Sequence, residues 1–161
     1  MPSFDQHITQ AKVNLNFLQE SNILKGYWDW QITISFYTAL HIVNAHLAKT
    51  LNFQYSTHVK TKNAIAPESL SPARLDNETY TSYVALQNLS KRSRYLCNHK
   101  NTTAADQAFF TNEKHLSKAI KHLDVIMEYA KKKYKTKFNE ISINNIHLKQ
   151  SNVVNFNVSD L

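Results

Sequence analysis

One glycine, Gly26, and three prolines are all the strong backbone punctuation that this 161-residue chain carries. Strand-rich folds turn on Gly, Pro, Asn and Asp in tight hairpins, so an all-β or α/β chain would have to do without its usual turn chemistry. Helix is therefore the default. Residues 27–50, which contain neither Pro nor Gly, make the case most clearly. On a 3.6-residue period, Phe36, Leu40, Val43 and Leu47 form one apolar stripe, and Trp30, Ile34, Tyr37, His41 and Ala45 form a second. A helix apolar on most faces belongs inside a bundle. This one also carries an indole N–H, a phenol, an imidazole and the Asn44 amide inward, and buried polar groups need partners. The central helix is expected to anchor a hydrogen-bond network.

The other helices follow from periodicity and caps. The first is expected from about Phe4 to Glu20, with Ser3 and Gln6 set for a capping box and Phe4, Ile8, Ala11, Leu15 and Leu18 inward. Thr57 is placed to cap a short helix from His58 to about Ala66, ended by Pro67. A third long helix is expected from about Glu78 to Asn98, with Ser82, Leu86, Leu89, Ser93 and Leu96 inward. The fourth is expected to begin at Asp106 and run to about Lys135, with Phe109, Leu116, Ile120, Leu123, Met127, Ala130 and Tyr134 inward. The prediction is an all-α, up-down bundle of four long helices and one short one. It spans 1–138. Residues 139–161 form an asparagine-rich tail. There Ile141/Ile143, Ile146/Leu148 and Val154/Phe156/Val158 alternate, which fits a short irregular or β-like segment.

Charge is unevenly distributed. Residues 1–80 hold six Lys/Arg and six Asp/Glu; residues 81–161 hold thirteen and six, so the net charge of +7 lies in the second half. A one-sided basic field suits a polyanion such as RNA. Cys97 is the only cysteine, which fits a reducing compartment. No signal peptide is visible, and polar residues interrupt the most apolar helix, so a cytoplasmic protein that does not enter the membrane is expected.

Several chemistries lack their residues. There is no cysteine pair, no His-Glu-x-x-His, no glycine-rich phosphate loop and no Gly-x-Ser-x-Gly elbow. No cofactor or metal is expected. The segment that can do chemistry is 90–100, Ser-Lys-Arg-Ser-Arg-Tyr-Leu-Cys-Asn-His-Lys. Arg92 and His99 fall on one helical face if the helix persists that far. Arg94 and His99 converge only if the helix ends first and the chain turns back. Either pairing puts an imidazole, which moves protons near neutral pH, beside a guanidinium that stabilises charge at phosphorus. The alternative is two surface arginines and a polar loop histidine.

The chain resembles the HEPN superfamily of helical-bundle domains from about His7 to Tyr134. The resemblance is carried by Asp29-Trp30, then Phe36-Tyr37-Thr38-Ala39-Leu40-His41, then Asn44-Ala45. Further downstream it rests on His58 with Lys60 and Lys62, and on Ser90, Arg94 and Tyr95. It looks closest to the uncharacterised bacterial branch with the Phe-Tyr-x-Ala-Leu-His helix. Many HEPN domains are metal-independent endoribonucleases, of toxin or defence type, with an Arg-x4–6-His motif shared across a homodimer. Both Arg92 and Arg94 fit that spacing to His99. Ser93 or Tyr95 follows the arginine where active members carry Asn, Asp or His. Other HEPN domains are non-catalytic modules, so the resemblance implies two readings. One is an RNA-cleaving protein with Arg92, Arg94 and His99 catalytic and Lys91, Lys100, His58, Lys60 and Lys62 against RNA. Its partners would be RNA, a second copy, and an antitoxin or nucleotidyltransferase-like protein. The other is a helical scaffold that binds a protein or small ligand.

The remaining candidates have plain structural readings. His41 is expected to be a core histidine, and Trp28 and Trp30 to pack at the bundle's end. Lys131, Lys132, Lys133, Lys135 and Lys137 close a helix whose dipole favours cations. His115 and His122 are expected on an exposed polar face with Lys118.

Overall fold

The computed structural model describes residues 1–97 and 108–159. Five helices carry the chain: α1 (Phe4–Ile23), α2 (Trp28–Leu51), α3 (His58–Ile65), α4 (Asn77–Tyr95) and α5 (Glu113–Tyr134). The four long ones form the bundle, with α2 packed against α1, α4 and α5, and α4 against α5. The central position of α2 follows from its composition. Ile32, Phe36, Ala39, Ile42, Val43, Ala45 and Leu47 are all buried, on more than one side of the helix. Three polar side chains it takes inward are satisfied locally: Thr33, Ser35 and Thr38 each donate to the carbonyl four residues earlier. Gln31 and His46 reach distant partners, whereas buried Asn44 Oδ1 has no partner among the described residues. No helix among the described residues is long and apolar enough to cross a membrane.

Caps set most of the boundaries. Ser3 accepts from Gln6 N while Gln6 Oε1 accepts from Ser3 N, the reciprocal box expected for α1. Thr57 Oγ1 accepts from Lys60 N at the start of α3. Asp76 accepts from both the amide and the hydroxyl of Thr79 at the start of α4. These bonds to the charged form hold the Asp76 carboxyl below its ordinary range, against burial acting the other way.

Five sequence expectations need correcting. α1 runs one turn further, to Ile23, before Gly26 (φ 95°) turns the chain. α4 stops at Tyr95, because Leu96 takes the left-handed conformation (φ 53°) and is partly exposed. Trp30 does not face inward: it is 63% exposed, on the solvent side of a first turn whose other side buries Gln31 and packs Trp28 against the core. α5 begins at Glu113, not Asp106, which lies outside the described residues. Asn112 caps it by accepting from His115 N, and the His115 imidazole accepts from Asn112 N in return. Phe109, expected on the inward stripe, instead gives its amide to Leu96 O at 2.8 Å.

The tail is β-like. Strands β1 (Ile141–Asn144) and β2 (Phe156–Ser159) pair in parallel, with Ile141 opposite Phe156 and Ile143 opposite Val158. One face of the pair joins the main core through Ile141, Ile143 and Phe156, together with Leu148 and Val153 from the connection. Asp124 of α5 fastens that connection. Its carboxylate accepts from Val154 N at 3.1 Å, Asn155 N at 2.7 Å and Asn155 Nδ2 at 3.1 Å. On α1, Gln19 and Asn22 accept the amides of Ser142 and Asn144, covering the outer edge of β1.

Candidate functional site

The basic end of α4 is built on buried serines. Ser90 and Ser93 are 0% and 8% exposed, and these small side chains seat the last turns of the helix against the bundle. Lys91, Arg92 and Arg94 therefore fan out around the part that stays accessible. Arg92 and Arg94 are two residues apart, roughly 200° around a helix of 3.6 residues per turn, so they leave on opposite flanks.

Arg92 turns toward α5. Its Nε and Nη2 both donate to Phe110 O, at 3.2 and 2.8 Å, and its guanidinium lies 5.4 Å from the Phe109 ring centre. Much of its hydrogen-bonding capacity goes to docking the segment before α5. Arg94 turns toward α2 and α3. Its guanidinium lies 5.0 Å from the Tyr95 ring centre and 6.0 Å from that of Tyr37. Its only protein bonds among the described residues are 3.3 Å to Ser90 O and 3.5 Å to Tyr95 Oη.

His58, at the start of α3, stands on the Arg94 flank. Its ring meets Phe36 edge to face at 5.4 Å. Burial lowers its pKa first, and the positive fields of Arg94 and Lys91 lower it further. Of the residues named from sequence, the structure thus brings His58, Lys91 and Arg94 together. Lys91 and Lys60 are exposed, and Lys62 is half-buried. His99 and Lys100 lie outside the described residues.

On the Arg92 flank, α4 and α5 enclose a groove of about 570 Å³ that sequence reasoning missed. Tyr80, Val84, Ala85, Asn88 and Leu89 line it from α4. His115, Lys118 and His122 line it from α5, with Arg92 and Cys97 among the other lining residues. His115 and His122, expected on an exposed polar face, are half-buried, and His122 Nδ1 lies 3.3 Å from Ser82 Oγ. Burial is the main cause lowering both histidines. Arg92, Lys118 and Lys114 add to it at His115, and Lys118 at His122. The signal was present in the spacing: positions 115, 118 and 122 share one helical face. What the sequence did not show was which helix that face meets.

Other histidines have structural tasks. His41 is half-buried, with its Nδ1 3.1 Å from Nδ1 of buried His7. Burial lowers both pKa values, and His7 adds to the effect at His41. His46, which sequence reasoning passed over, is 1% exposed. Its Nε2 donates to Ala73 O at 2.8 Å, which leaves Nδ1 to accept from the Tyr134 hydroxyl. Three of the five clustered lysines are occupied nearby. Lys131 reaches Asn155 and Glu128, Lys132 reaches Glu128, and Lys133 donates to the Tyr129 hydroxyl.

Among the described residues, no group of three or more His, Cys, Asp or Glu is placed to hold a metal ion. No family model, curated protein or solved structure matches this chain.

Proposed function

We propose that this chain is an RNA-associated protein of the HEPN kind and that it cleaves RNA without a metal. The observation that carries the reading is the basic end of α4, where Lys91, Arg92 and Arg94 gather with His58 on one flank and His115 on the other. Among the described residues no carboxylate pairs with any of these cations; the ion pairs there belong to Glu128. Unpaired cations beside aromatic rings suit a phosphodiester backbone and its bases.

Within this reading Arg94 is the better catalytic arginine, because Arg92 already holds the Phe110 carbonyl with two of its donors. His99 would act as base. It takes the proton of a 2′-hydroxyl as that oxygen attacks the adjacent phosphorus, and the bond from phosphorus to the 5′-oxygen breaks. The proton then goes to the departing 5′-oxygen, leaving a cyclic phosphate and a 5′-hydroxyl. Arg94 offsets the charge that builds on the phosphoryl oxygens. Two copies of the chain would frame the cleft, and an antitoxin or nucleotidyltransferase-like partner would silence it.

The test is cleavage of single-stranded RNA in EDTA by wild type, Arg92→Ala, Arg94→Ala and His99→Ala. Arg94→Ala and His99→Ala are each expected to lose about 100-fold or more, and Arg92→Ala less. Cleavage that all three variants leave unchanged refutes the site. RNA binding without cleavage by wild type refutes the nuclease and leaves a non-catalytic RNA-binding module; neither binding nor cleavage selects the second reading, a helical scaffold for a protein or small ligand. Either non-catalytic outcome is favoured by Ser93 and Tyr95 standing where active members carry Asn, Asp or His.

A further inference from the structure

We infer that the groove between α4 and α5 is the track for a single strand of RNA, with phosphates along its α5 wall and bases against its α4 wall. The inference rests on the RNA reading above and gives the strand a place.

The two walls differ in chemistry. The α5 wall presents His115, Lys118 and His122 at successive turns, over a length of about 10 Å at 1.5 Å per residue. The α4 wall runs from Tyr80 to Arg92, about 18 Å by the same rise. It alternates apolar Val84, Ala85 and Leu89 with Tyr80, Thr81 and Asn88, which carry hydroxyls and an amide. Among the described residues no carboxylate lines the groove, and its charged side chains are Arg92 and Lys118, beside the imidazoles of His115 and His122.

This division selects among ligands. An alkyl chain would leave Thr81 and Asn88 facing hydrocarbon without partners. A bare anion would make no use of the apolar surface. A nucleotide unit uses both walls: its base has apolar faces and hydrogen-bonding edges, and its phosphate meets Lys118 and the outer side of Arg92. A volume of about 570 Å³ is within the range of small-ligand sites. Neutral His115 and His122 can donate to phosphate or accept from a base edge without like-charge repulsion of Lys118. The groove ends beside Cys97 and Arg92, at the basic last turn of α4.

The test uses the full chain and a fluorescent single-stranded RNA decamer. Exposed Lys118 is changed to Glu, with Lys137→Glu as a control of equal charge change outside the groove. Lys118→Glu is expected to weaken binding about 10-fold and to lower the salt dependence by about one phosphate contact, and Lys137→Glu to weaken it less than about 3-fold. Cys97, exposed and the sole cysteine, supplies a readout that does not depend on any substitution. Saturating RNA is expected to slow its alkylation by iodoacetamide several-fold. Equal weakening by the two charge changes, or alkylation that ignores bound RNA, overturns the groove while the RNA reading stands. No RNA binding by wild type overturns the RNA reading and the groove with it.

Discussion

The acid sensitivity of this fold is expected to run through His46. Burial is the main cause that lowers its pKa from 6.5 to about 4; the bond to Ala73 O opposes that shift and the charge of Lys133 reinforces it. Between those two values the unfolded chain holds a proton on this imidazole that the folded chain refuses. Stability from His46 is therefore complete above about pH 6.5 and is lost as pH falls toward 4. A pKa difference of this size corresponds to about 3 kcal/mol, of which about 2 kcal/mol disappears between pH 7 and pH 5. The structural event is specific. Protonated at Nδ1, His46 no longer accepts from Tyr134, and its charge faces the Lys133–Tyr129 pair across a part-buried contact. Urea denaturation of wild type and His46→Gln at pH 7 and pH 5 isolates the effect. The amide of Gln can donate to Ala73 and accept from Tyr134, and it does not titrate. Other histidines with lowered pKa values act in the same direction in both proteins, so only the difference between the two slopes belongs to His46. Wild type should lose about 2 kcal/mol more than the variant over that interval. Equal losses would refute the assignment of the proton to this site.

Two further substitutions test how the chain is fastened together. Asp124→Ala removes a carboxylate that accepts from the Val154 amide and from the amide and side chain of Asn155. A loss of about 3 kcal/mol is expected, with faster hydrogen exchange at those two amides; unchanged exchange would show that the tail docks by apolar contact alone. Gly26→Ala meets no atom within 4 Å, yet Gly26 sits at φ 95°, where a Cβ is strained. It should destabilise by about 1 kcal/mol in urea titration, and no change would mean that the α1–α2 turn relaxes freely.

What the sequence showed of the fold is what local chemistry decides. The Ser3–Gln6 box, the Thr57 cap and the central α2 needed no knowledge of neighbours. The start of α5 was hidden because two distant groups compete for the chain before it: Arg92 takes Phe110 O and Leu96 O takes Phe109 N. The cap itself pairs Asn112 with a histidine, where a box is sought by its Glu or Gln. In the tail, the alternation of Ile141/Ile143 and Phe156/Val158 marked strands correctly, but their parallel pairing depends on Gln19, Asn22 and Asp124, none of them in the tail. The groove was half legible: the face of His115, Lys118 and His122 is periodic, whereas its apolar opposite belongs to α4.

The angular separation of Arg92 and Arg94 constrains any catalytic account of this chain. Buried Ser82, Leu86, Ser90 and Ser93 fix which side of α4 faces the bundle, so the helix cannot rotate to bring both guanidinia to one point without exposing Leu86 and burying charge. Arg92 sits over the α5 flank with Phe109, His115 and Lys118; Arg94 sits over the α2–α3 flank with Tyr37 and His58. Within one chain a given imidazole can therefore serve one arginine closely, and the other must hold structure or substrate. The two bonds from Arg92 to Phe110 assign it the holding task, and they place the segment before α5 against the same turn of α4 from which Arg94 departs. Which arginine fixes the local backbone and which is left with fewer protein bonds are thus set by one helical rotation, read directly from which serines the bundle buries.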